Sequence, residues 1–158
     1  MLQVVNAVSA MLDACPEAVV DDAFGPVMHY LVQLVSCKRH QLATAACRFW
    51  AKHAAVPANP AVRRHWMTPL LPEMPTLLAA LVDQMRYRPQ HVEYLQSQQL
   101  GETASAASRH VKSLATLRNV ATVAFEHLVR VYPVDLVCAT FTPLLHARVR
   151  SSSCSRNV

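Results

Sequence analysis

The sequence predicts an all-α protein, and three observations carry that expectation. Apolar residues recur at steps of three and four along most of the chain, no stretch alternates with period two, and only Gly25 and Gly101 stand against ten prolines. So few glycines leave little material for hairpin turns, glycine-rich phosphate loops or a nucleophile elbow. At 158 residues and 17.5 kDa, with 53% hydrophobic content, the chain is long enough for one domain with a sizeable core.

The first helix covers residues 2–14, with Val5, Val8 and Leu12 on one side and no capping residue ahead of it. After Pro16, a second helix from about Asp21 to Val35 places Phe24, Val27, Met28, Leu31 and Val35 on one face. Asp21 and Asp22 sit at its N-terminus, where the helix dipole favours negative charge. The third helix, Leu42 to Ala54, has two faces: Leu42, Ala46, Phe49, Trp50 and His53 on one, Gln41, Thr44, Arg48 and Lys52 on the other. Its alanines let neighbouring helices approach closely, and Phe49 and Trp50 fill the remaining space, so both rings are expected in the core.

Pro57 and Pro60 end that helix, and residues 56–66 read as a connection. From Thr68 a longer helix buries Leu70, Met74, Leu77, Leu81 and Met85, widened by Leu71, Leu78 and Val82; Pro69, Pro72 and Pro75 require either a late start or a bend. Periodicity disappears over residues 88–113, which read as a long inserted loop. It returns at Leu114, where Leu117, Ala121, Ala124, Leu128 and Val131 oppose Arg118, Thr122, Glu126 and Arg130 until Pro133. A last helix from about Val134 to Val149 buries Val137, Phe141, Leu144 and Leu145 around a kink at Pro143, and residues 150–158 form a disordered tail.

Ala7, Ala46 and Ala124 hold equivalent small positions in three of these helices, 39 and then 78 residues apart. A unit of about 40 residues built from a proline-bearing helix and a second helix with small residues is the pattern of HEAT repeats, antiparallel helix pairs that stack into an α-solenoid. About three such repeats fit residues 1–149, with the insert at 88–113 interrupting one of them.

The net charge of +5 is distributed by segment: residues 1–36 hold four acids and no Lys or Arg, residues 37–66 six bases and no acid. Five irregularly spaced cysteines point to a reducing, intracellular setting. The opening residues carry Asp13 and no basic leader, and no apolar run reaches the roughly 20 residues needed to cross a bilayer, so neither secretion nor membrane insertion is expected. Cys37, His40 and Cys47 lack a fourth ligand at finger-like spacing and read as packing residues, as do His53 and His127. No nucleophile, base and orienting group stand together, so no enzyme activity, catalytic residue, metal, cofactor or small-molecule substrate is expected.

At Ala46-Cys47-Arg48-Phe49-Trp50 the chain resembles the A-C-E-F-W signature in a middle HEAT repeat of the transportins, nuclear transport receptors of the importin-beta type. Arg64-His65, Leu70-Leu71-Pro72, Leu81-Val82 and Met85-Arg86-Tyr87 are similar to the segment that follows in that family. Further on, Leu117-Arg118, Ala124, Leu128, Val131-Tyr132 and Pro143-Leu144-Leu145 resemble its next helices, so the resemblance spans roughly residues 4–148. It implies a protein-binding scaffold of cytoplasm and nucleus, whose second helices line a concave surface for nuclear-localisation-signal cargo and the Ran GTPase. On that surface Arg48, Lys52, Arg118, Thr122 and Arg130 are the expected partner-binding residues.

Two features depart from the family. Its inserted loop is acidic, whereas residues 88–113 set Arg88, Arg109 and Lys112 against Glu93 and Glu102. Its inner face is also generally acidic, and here Arg48, Lys52, Arg118 and Arg130 make it basic. For those basic residues a solvated face is the favoured reading over partner binding. The ends at Val4–Leu12 and Val137–Leu145 lack the polar caps of a finished solenoid, which suggests a fragment of a longer receptor. A basic helical nucleic-acid-binding module, in keeping with a pI near 9.2, and a small standalone adaptor are the alternatives.

Overall fold

The computed structural model describes residues 1–14, 24–54, 70–87 and 107–143, together with positions 89, 92, 93 and 96. Among the described residues every regular element is a helix. In chain order these are α1 (Leu2–Ala14), α2 (Phe24–Val35), α3 (His40–His53), a 3-10 turn (Leu71–Glu73) leading into α4 (Met74–Met85), α5 (Ala107–Val131) and α6 (residues 134–143).

Local chemistry accounts for several of the boundaries. Pro72 and Pro75 occupy first-turn positions of the 3-10 turn and of α4, where the missing N–H would have had no helical partner. Leu70 is already helical and the 3-10 turn joins it to α4, while positions 68 and 69 lie outside the described residues. α3 begins after Arg39, which is extended (φ −80°, ψ 101°) and offers no side-chain cap. The Arg39 carbonyl instead accepts from the amides of Leu42 and Ala43 at 2.9 and 3.1 Å. Lys52 and His53 in the last turn suit the negative end of the helix dipole.

The helices pair in a ladder. α2 packs on α3 and α4 packs on α5, while α2 also touches α4, and α3 touches both α1 and α5. Only Ser36 to Arg39 join α2 to α3, too short a link for the chain to return to the start of α2, so α3 runs back along it. The most extensive contact is α3 against α5. Ala43, Ala46, Ala121 and Ala124 are wholly buried in these two helices, and side chains that small allow close backbone approach.

Around that seam lies one continuous core. Phe49 and Trp50 meet edge to face with ring centroids 5.2 Å apart and are 2% and 1% exposed. Met28, Leu31 and Val35 of α2, Met74, Leu77, Leu78 and Leu81 of α4, and Leu117 and Leu128 of α5 complete it. α6 joins through Val137 and through an edge-to-face contact of Phe141 with Phe125 at 5.4 Å. Gln84 is the buried polar residue of this core, and its amide donates 2.9 Å to the Val35 carbonyl, an acceptor left over at the end of α2.

Several expectations need correction. Residues 107–113 are helical, so α5 begins before Leu114 and inside the stretch read as a loop, and the described positions 89, 92, 93 and 96 of that stretch are helical too. The Ala, Ser, Arg and Lys residues there carry no apolar stripe, yet extending an already nucleated helix adds one hydrogen bond per residue. Leu71 is 41% exposed and does not widen the α4 stripe, because it lies in the 3-10 turn ahead of the helix. Ala7 is exposed, unlike Ala46 and Ala124, because α1 turns Val5 and Leu12 inward and Ala7 outward. Asp21 and Asp22, residues 56–66, Leu144, Leu145, the end of the last helix at Val149 and the tail 150–158 lie outside the described residues.

The Trp50 indole N–H is buried and meets no acceptor among the described residues, which separates two effects of mutation. Trp50→Ala is expected to cost about 3–5 kcal/mol in urea unfolding. Trp50→Phe, which removes the unpartnered donor while keeping a ring, is expected to stay within about 1.5 kcal/mol of the parent.

Candidate functional site

α1, α3 and α5 present their outward sides together, and α3 forms the ridge between two troughs. The first, of about 430 Å³, runs between α1 and α3 and is closed at one end by Ser113 and Thr116 of α5. Its apolar lining is Leu2, Val5 and Phe49, of which Leu2 alone is exposed, and its polar lining includes Asn6 and Gln41. The second, about 420 Å³ and more open, lies between α3 and α5 over Ala51, Val120 and Val123. Arg48 and Lys52, one helical turn apart, border both troughs.

The five expected partner residues are therefore divided. Arg48 and Lys52 stand together on the ridge. Arg118 turns to the far flank of α5, where its guanidinium lies 4.0 Å from the ring centroid of Tyr87. The Thr122 hydroxyl donates 3.0 Å to the Arg118 carbonyl on that same flank. Arg130 is exposed near the end of α5 and lines neither trough.

A polar seam between α1 and α3 flanks the ridge. Lys52 pairs with Asp13, both about half exposed, a contact of the kind that contributes about 0–1 kcal/mol. Beside it Ser9 Oγ and His53 Nε2 are 3.0 Å apart, and His53 also rests on Phe49 with ring centroids at 4.6 Å. The Ser9–His53 pair has the spacing of a nucleophile and base. Ser9 nevertheless sits in the middle of α1, whose amides are consumed by helical hydrogen bonds, so the adjacent backbone has no donor to offer a developing oxyanion. The pair acts as a bridge between helices. On the other side of α3, His127 Nδ1 donates to the Ala51 carbonyl at 2.6 Å and ties α5 to it.

No family model, curated protein or solved structure matches this chain. The transport-receptor reading accordingly rests on the residues and on the packing. Cys47, expected as a packing residue, is buried against the core, and burial pushes its thiol up to about 12, well away from thiolate chemistry at neutral pH. Among the described residues no three metal-ligating side chains converge, and no helix is long and apolar enough to cross a membrane.

The bridging pairs were missed from the sequence, although one signal was present. Asp13 and Lys52 are 39 residues apart, the same offset as Ala7 and Ala46, so opposite charges at that spacing marked adjacent helices. Ser9 with His53 and His127 with Ala51 carry no such mark.

Burial, the largest cause, holds the His53 imidazole below its ordinary 6.5; Asp13 opposes this and Lys52 adds to it. On acidification the unfolded chain takes up this proton first, so the contribution present above pH 6.5 is lost as the pH falls through the folded value. Urea midpoints at about pH 7 and about pH 5.5 should show a drop in the parent protein, and His53→Gln should reduce that drop. An unchanged pH dependence in the variant would contradict the placement of His53.

Proposed function

We propose that this chain is a segment of a HEAT-type α-solenoid and serves as a protein-binding scaffold of the importin-beta kind. The observation that carries the reading is the ladder of helix contacts. α2 and α4 stand side by side in one row and α1, α3 and α5 in the other, with α2–α3 and α4–α5 as the rungs. The Asp13–Lys52 pair joins neighbouring members of the second row at the 39-residue offset expected of one repeat. In a transport receptor the second helices line the inner surface, and here they are the helices that carry the ridge and its two troughs.

By this reading the chain works without catalysis, in cytoplasm and nucleus, through surface complementarity to transport cargo and to Ran. Calorimetric titration with GTP-loaded Ran and, separately, with a basic nuclear-localisation peptide tests it. Saturable binding of either, with a Kd near or below about 10 μM, is expected. Absence of both interactions rejects the transport role. The architecture is tested separately by hydrogen exchange, where α3 and α5 should be the most protected helices and α1 should open first, since a terminal repeat has one neighbour.

A further inference from the structure

The charge on the ridge is not balanced. Asp13 occupies Lys52, whereas Arg48 is exposed and makes no ion pair with any described residue. Among the described residues no carboxylate lines either trough, yet Arg48 and Lys52 line both. A segment crossing the α3 ridge in either direction meets the same guanidinium. The first trough adds an apolar lining, with Leu2 still 42% exposed, and the side-chain amides of Asn6 and Gln41, which can pair with a peptide backbone.

We infer that the trough between α1 and α3 takes an extended acidic segment of a partner protein, with a carboxylate paired to Arg48 and an apolar residue against the exposed Leu2. The inference rests on the scaffold reading and names its partner chemistry. Arg presents a planar fork that matches a carboxylate with two parallel hydrogen bonds. A basic signal peptide would instead meet like charge at Arg48 and Lys52, which costs affinity. Single-stranded nucleic acid fits less well, because the aromatic ring of the lining, Phe49, is 2% exposed and offers no face for base stacking.

The test is fluorescence polarisation with a short fluorescein-labelled peptide of Glu, Leu and Ser, its counterpart with Lys in place of Glu, and a labelled single-stranded oligonucleotide. The Glu peptide is expected to bind the full chain and to weaken about fivefold or more in Arg48→Glu. Gln41→Glu, an exposed change in the trough lining, should also weaken it, whereas Arg130→Glu, equal in charge to Arg48→Glu but outside the trough, should not. Thermal melts of all three variants establish that they fold. Loss of affinity in Arg130→Glu equal to that in Arg48→Glu, tighter binding of the oligonucleotide than of the Glu peptide, or no peptide binding overturns the inference. Binding of the Lys peptide that Arg48→Glu strengthens also overturns it while leaving the scaffold standing; failure of the scaffold would appear in the Ran and exchange measurements.

Discussion

α3 must bury three sides at once, and the rest of the structure follows from that demand. It contacts α1, α2 and α5, and Leu42, Ala43, Ala46, Cys47, Phe49 and Trp50 are all buried within fourteen residues. A helix apolar over so much of its circumference cannot rest on a single neighbour. Its alanines and its two aromatic rings are buried together, the small side chains permitting close approach and the rings supplying bulk. What is left uncovered is a narrow strip, and Arg48 and Lys52 stand on it. Packing thus selects where a partner can touch.

Between the helices, a few polar contacts fix register where apolar packing alone would permit sliding. Ser9 with His53 and Lys52 with Asp13 join α1 to α3, His127 with Ala51 joins α5 to α3, and Gln84 joins α4 to the end of α2. Apart from Gln84 these groups keep contact with solvent, so each is worth little as an isolated interaction. Their value is geometric: each is satisfied only at one relative position of its two helices. His29 with Glu73 at 2.7 Å does the same between α2 and the turn before α4.

Much of the fold was legible because it depends on spacing. Val5 and Leu12, Met28 and Leu31, Phe49 and Trp50, Leu77 and Leu81, and Leu117 and Leu128 could be assigned to the core from period alone. The misreadings occurred where period does not decide. Leu71 has the right spacing but lies in a 3-10 turn, whose three-residue repeat points it elsewhere. Ala7 has the right offset but lies on the exposed side of α1. Residues 107–113 have no apolar stripe and are helical by continuation from Leu114 onward.

The candidate site was legible in part, for a related reason. Arg48 and Lys52 share a strip of one helix, which spacing reveals. Arg118 and Arg130 were grouped with them because they oppose the α5 core, yet a surface of that width has two flanks. Which flank faces α3 is set by packing, and Tyr87 holds Arg118 on the other one.

The dominance of the α3–α5 seam also bears on how the chain reaches this state. α2 and α3 are joined by a four-residue link and can pair as a local hairpin, but α5 begins far down the chain and must close a long loop first. Closure entropy grows only logarithmically, about 0.6 kcal/mol for each doubling of length, so lengthening the stretch between α4 and α5 barely alters the equilibrium. The delay appears in the rate. Until α5 arrives, the Ala43–Cys47 side of α3 is an apolar surface without its cover, and the burden of folding falls on protecting that half-formed hairpin.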